Sequence, residues 1–206
     1  MVGARQFDED EMLADALDVF WRKGFTGTSM IDLAQATGIQ RGSLYNAYGD
    51  KAQLFLLAFD RYAERFLDSA RRSLTAPDAQ SALNAFFETA IANMTSGSPS
   101  RGCLTTKTAL DLDQAGPAIE ARVKRLIGDL TALLTAALAR PGPRTTALSP
   151  EAAADLIVTF TRGLAVMERV HHNKKYLKQT AAHFVQALFQ SKRQNWRAKA
   201  EHLNTH

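Results

Sequence analysis

Between Thr28 and Lys51 the chain gathers side chains suited to nucleic-acid chemistry. Gln40, Arg41, Ser43, Tyr45 and Asn46 stand close together and all can donate or accept hydrogen bonds. Arginine matches the O6/N7 edge of guanine and asparagine the N6/N7 edge of adenine. Arg41 and Asn46 are therefore the geometric favourites for base reading, with Gln40 and Ser43 beside them. Thr28 and Ser29 precede an apolar-periodic stretch, where a helix N-terminus would offer hydroxyl and backbone N–H groups to a phosphate. Tyr45, Tyr48 and Lys51 are candidates to hold the nucleic-acid backbone, and Gly42 leaves room for a close backbone approach.

These groups need rigid elements. The spacing predicts one short helix over about Ser29 to Thr37 and a second over about Gln40 to Ala47, with Gly38 free to take a positive φ at the turn between them. Ala34 is small where the two helices cross, and Ile39 and Leu44 are the apolar anchors of the second. This is a helix-turn-helix pattern, with the second helix exposing the polar set. A helix from about Asp8 to Lys23 precedes it, acidic in its first turn and stopped by Gly24, with Phe25 packing back on the core. Asp50 caps a long amphipathic helix that reaches about Ser73.

On these residues the segment from about Asp8 to Phe59 resembles the DNA-binding domain of the tetracycline-repressor (TetR) family. Gly24-Phe25, Thr28-Ser29, Leu33-Ala34, Gly38-Ile39, Arg41-Gly42, Leu44-Tyr45, Tyr48 and Lys51 fall in the family's register. The resemblance implies an all-α homodimer that binds double-stranded DNA at a palindromic operator. It also implies a repressor, with a variable C-terminal domain that senses a ligand. Two positions depart from the pattern: Ala47 stands where the family often has histidine, and Thr37 where it often has alanine. The first removes one possible phosphate contact and the second alters local packing. The expected organisation is a three-helix domain over residues 1–49 and a ligand-sensing, dimerising helical bundle over 50–206, about nine helices in all.

The remainder is punctuated by Pro77, Pro99, Pro117, Pro141, Pro143 and Pro150. Helices are expected near Asp78–Thr95, Cys103–Leu112, Pro117–Arg140, Ser149–His171 and Lys174–Gln190, followed by a polar end that frays. Cys103 opens one of them beside Arg101 and Lys107, a setting that favours a reactive thiolate and suggests a sensor of oxidants or electrophiles. The plainer account is a small residue in the packing. Phe86, Phe87, Met94, Leu104, Phe160 and Met167 are candidates to line a pocket for a small apolar effector. His171-His172 and Lys174-Lys175 read as a solvated loop rather than a metal site. Leu156, Ile157, Phe160, Leu164 and Met167 on one helix, and Phe184, Val185, Leu188 and Phe189 on the next, offer faces for a dimeric four-helix bundle.

Composition bounds these readings. The chain has 206 residues, 46% hydrophobic and 22% charged, with a formal charge of +4, which excludes a disordered or low-complexity chain. A single cysteine excludes an intrachain disulfide framework and fits a reducing cytoplasm. Nothing at the start reads as a signal peptide, and no apolar run approaches the roughly 20 residues needed to cross a bilayer. No cofactor is implied. An enzyme would need a nucleophile, a base and an orienting group; Cys103 with His171 or His183 lacks any supporting spacing. A thiol enzyme or a helical interaction module without DNA binding is the rival to a regulator. Residues 1–51 hold eight acidic against five basic side chains, a net charge of −3. DNA binding by such a domain must rest on placement of charge, with modest non-specific affinity and a shallow salt dependence.

Overall fold

The computed structural model describes residues 9–142 and 146–189, and Asp8, Pro143 and the expected fraying segment Ser191–His206 lie outside them. Among the described residues there are ten helices and no strand: α1 (Glu9–Lys23), α2 (Met30–Thr37), α3 (Arg41–Tyr48), α4 (Lys51–Ser73), α5 (Ala79–Met94), α6 (Leu104–Leu110), α7 (Leu112–Ala115), α8 (Pro117–Leu138), α9 (Pro150–His171) and α10 (Lys174–Leu188).

Local chemistry explains most boundaries. Ser29, Asp78, Ser149 and Asn173 each accept a backbone N–H three residues on, satisfying a donor that the first turn leaves orphaned. Pro150 follows Ser149 at the first helical position, where its missing N–H costs nothing. Gly38 ends α2 in the left-handed conformation at φ 67°. The tenth helix arises where a single element was expected after Cys103. Asp111 closes α6 with its N–H on the Thr108 carbonyl, while its own carbonyl accepts from Gln114 and Ala115. The chain thus turns once more as α7 before Gly116 and Pro117 start α8.

Packing divides the chain into two compact units, Met1–Asp68 with Ser96–Ile127, and Ser69–Thr95 with Gly128–His206. The first is centred on aromatic rings from α1, the following turn and α4. Phe55 meets Phe20 and Phe25 edge-on at centroid distances of 4.9 and 5.2 Å and stacks on Phe59 at 5.5 Å. Leu33 of α2, Leu44 of α3, Leu104 of α6 and Ile119 of α8 complete this core with no exposed surface. In the second unit α5, α9 and α10 pack on one another around Leu83, Phe86, Phe87, Ile91, Ile157, Leu164, Leu177 and Val185.

Candidate nucleic-acid interface

α3 is docked mainly by one side chain. Leu44 is its only buried residue and Tyr48 is half-buried, while Arg41, Gly42, Ser43, Tyr45, Asn46 and Ala47 are exposed. Ile39, half-buried just before the helix, is the second anchor. Tyr45 leaves 47% of its surface open, well above what an aromatic ring keeps inside a folded core. Gln40, at the N-cap position, makes no side-chain cap and is exposed too. The sequence-predicted base-reading set therefore shares one solvent face. That face carries a cation and no acid.

Gly42 is informative within it. A Cβ added there would meet nothing within 4 Å. Its backbone is helical, so no positive φ requires glycine either. Neither packing nor conformation within the chain calls for glycine at this point.

The turn from α1 into α2 fixes how α3 is aimed. Gly24, at φ 75°, sends its N–H to the Phe20 carbonyl at 2.8 Å. The Thr28 hydroxyl donates to the Gly24 carbonyl at 2.6 Å and is buried. The hydroxyl proton expected to face a phosphate is thus given inward, where it holds the turn. Lys51 donates to the Phe25 carbonyl at 2.9 Å and lies 4.4 Å from the centre of the Phe25 ring. An ammonium group has three donors, so this contact leaves capacity for an anion.

Ser29 has a closer partner than a phosphate. Its backbone N–H and its hydroxyl donate to Asp32 Oδ2 at 2.8 and 2.7 Å, and its hydroxyl accepts from the Asp32 N–H at 3.2 Å. This is a reciprocal capping box. Lys23 reaches the other Asp32 oxygen at 2.5 Å. The Lys23 ammonium and the Ser29 donors hold the Asp32 carboxyl far below the usual carboxylate range. The chain's own carboxylate thus sits where the N-terminus of α2 attracts an anion. Asp32 was missed among the site residues, although the Ser-x-x-Asp spacing signalled it.

Tyr48 faces the start of α1. Burial pushes its phenol above the ordinary value, and the charge of Glu9, to which it is hydrogen bonded, adds to this. The acids of the region are partly compensated from outside it: Asp10 pairs with Arg61 of α4, and Asp18, which pairs with Arg22 on its own helix at 3.0 Å, also meets Arg101 at 3.4 Å.

The sensing candidates lie elsewhere. Cys103 is half-buried at the N-cap of α6. Phe86, Phe87 and Met94 are buried on α5. Phe160 stacks on Phe184 at 3.9 Å, and Phe87 meets both rings edge-on at 5.7 and 5.9 Å. Phe184, read from the sequence as part of a dimer face, thereby joins the candidate pocket residues. Met167 is exposed on α9, and Leu104 belongs to the first unit's core, whereas the other five belong to the second unit. His171 packs against the Tyr176 ring at 4.6 Å. Among the described residues no three His, Cys, Asp or Glu side chains group as metal ligands.

The chain is similar to known proteins in sequence and in fold. The chain is 38% identical over 100 residues to the HTH-type transcriptional repressor ComR of Escherichia coli (strain K12), covering 47% of each chain. It is 32% identical over 108 residues to the uncharacterized HTH-type transcriptional regulator YezE of Bacillus subtilis (strain 168), covering 52% of this chain and 56% of that one. These matches span about half the length of the curated relatives. Among solved structures, a cysteine mutant of the TetR family regulator CifR, complexed with 26-bp double-strand operator DNA, is 27% identical with a TM-score of 0.82, over 90% of this chain and 99% of that one. The reduced form of E. coli NemR, 16% identical over 88% of this chain and 96% of its own, shares the fold at a TM-score of 0.79. Residues 12–58 match the bacterial regulatory proteins of the tetR family, and residues 79–184, more than half of the chain, match the tetracyclin repressor-like C-terminal domain. The chain belongs to the TetR family.

Proposed function

We propose that this protein is a sequence-specific DNA-binding transcriptional regulator, a repressor that binds a palindromic operator as a homodimer in the cytoplasm. One observation carries the reading: α3 is held by Leu44 while Arg41, Ser43, Tyr45 and Asn46 stand on an open face that carries no acid. The related regulator CifR is seen with operator DNA. Residues 1–49 do the reading and residues 50–206 sense and dimerise. Arg41 and Asn46 contact base edges with Gln40 and Ser43, while Tyr45, Tyr48 and Lys51 engage phosphates beside the turn that Thr28 and the Ser29–Asp32 capping box hold. Two recognition helices in a dimer meet successive major grooves about 34–36 Å apart, or a multiple of that.

The exposed apolar side chains of α9 support the dimer. Leu156, Val166, Met167 and Val170 are all exposed, Val170 to 63%. Leu156, Gly163 and Val170 are seven residues apart in turn, a spacing that returns to one helix face. The open Gly163 brings two such helices close.

Release follows from a signal in the C-terminal half, either a small apolar molecule at the Phe86, Phe87, Met94 and Phe160 cluster or an electrophile or oxidant at Cys103. Tilting α4 then moves the paired recognition helices out of register with the grooves. The test is retention of the DNA upstream of the protein's own gene by the purified chain, with and without an electrophile, repeated with Cys103→Ser. Sequence-selective retention, lost on electrophile treatment of the parent and kept by the variant, is the expected result. No retention of that DNA over unrelated DNA refutes regulation at this locus. Equal release from parent and variant removes Cys103 from the account.

A further inference from the structure

The end of α1 is held by a residue far away in sequence. A helix leaves its last carbonyls without partners. Here the Phe20 carbonyl takes the Gly24 N–H, but the next two, Trp21 and Arg22, accept from the Lys107 ammonium at 2.5 and 3.2 Å. A cation at this end also complements the negative pole of the helix. A second tie runs the other way: the Trp21 indole N–H donates to the Gly102 carbonyl at 3.0 Å. Arg101 lies over the Trp21 ring at 5.6 Å and pairs with Asp18. The Trp21 ring meets Tyr62 edge-on at 5.1 Å, and the Tyr62 and Thr105 hydroxyls share a hydrogen bond of 3.1 Å. Residues 101–107 thus grip the last turn of α1 by backbone, ring and charge, immediately before the Gly24–Ser29 turn that leads into α2 and α3.

We propose that Lys107 is a positioning residue for DNA recognition: through the Trp21 and Arg22 carbonyls it fixes the end of α1, and with it the direction in which the turn delivers α2 and α3. Lys107 does this without touching DNA. The inference rests on the DNA-binding reading above and names a residue outside residues 1–49 on which that reading depends. Lys51 does the equivalent from α4 at the Phe25 carbonyl, so the turn is pinned by an ammonium on either side of Gly24.

The experiment uses the full chain as Lys107→Met, Lys107→Arg and Trp21→Phe. Binding to a DNA fragment from upstream of the gene is measured over a range of salt concentrations, and amide hydrogen exchange is followed in peptides spanning residues 20–30. Lys107→Met is expected to weaken binding about tenfold, the order set by losing charge-assisted hydrogen bonds, with an unchanged slope of log affinity on log salt. Lys107→Arg recovers most of the loss. Exchange over 20–30 quickens in Lys107→Met and in Trp21→Phe, while peptides of α9 keep their parent rates. A slope shallower by about one would make Lys107 a direct phosphate contact and overturn the proposal. Parent-like affinity and parent-like exchange would overturn it equally. If the parent itself retains no upstream DNA, the DNA reading fails separately and the exchange rates still decide whether Lys107 orders the turn. If Lys107→Met does not fold, Trp21→Phe decides by the same two measurements.

Discussion

Replacing Gly42 by alanine separates the demands of folding from those of DNA. An added methyl at Gly42 meets no atom within 4 Å, so it brings no clash within the chain. Glycine in a helix costs about 0.5–1 kcal/mol relative to alanine. Gly42 lies in the first turn of α3, which favours the lower end. For a chain of this size, 1 kcal/mol moves the midpoint by about 2–4 °C. Gly42→Ala should therefore raise the thermal midpoint by about 1–4 °C. DNA binding should move the opposite way. If the open space around Gly42 is where the duplex backbone comes close, the methyl occupies it, and affinity for the upstream fragment should fall at least about tenfold, or about 1.4 kcal/mol. Thermal unfolding by circular dichroism and fluorescence anisotropy with labelled DNA read the two effects. A rise in midpoint with unchanged DNA affinity would refute the claim that DNA approaches the N-terminal turn of α3. A fall in midpoint would show a requirement for glycine within the fold itself.

Three further outcomes follow from particular contacts. Leu44→Ala removes the sole buried side chain of α3 and should lower stability by about 2–4 kcal/mol in urea denaturation, with loss of DNA binding; a parent-like midpoint would contradict Leu44 as the main anchor of α3. The folded Asp32 carboxyl titrates below its unfolded value, so its contribution is complete above about pH 3.9 and is lost as pH falls toward the folded value. Asp32→Asn should accordingly be less stable than the parent at neutral pH, with the gap closing in acid; a gap constant from pH 7 to pH 2 would exclude the carboxylate as its source. Val170→Glu places a charge on the exposed apolar line of α9 and should yield monomers in sedimentation velocity at micromolar concentration, while a dimer as stable as the parent's would move the interface elsewhere.

What was legible from the amino acids alone was local. The capping positions Asp78 and Ser149, the start of α2 at Thr28 or Ser29, the stop at Gly24, the turn at Gly38 and the anchor Leu44 all act through neighbours within three or four residues, or through a helical period, and both survive in a one-dimensional string. The exposed reading face of α3 follows from the same periodicity. The partners of the polar groups were not legible, because they depend on which distant segments the core brings together. Thr28 is turned inward by its own turn, Ser29 is occupied by Asp32, and Tyr48 meets Glu9 across the fold. Leu104 joins the core of α1 to α4 rather than the α5 aromatic cluster. Lys107 reaches the Trp21 carbonyl across 86 positions of chain. Carbonyls at a helix end and in the turn beyond it need donors, but chain order does not say whose; only the packed structure brought Lys107 to the first and Lys51 to the second.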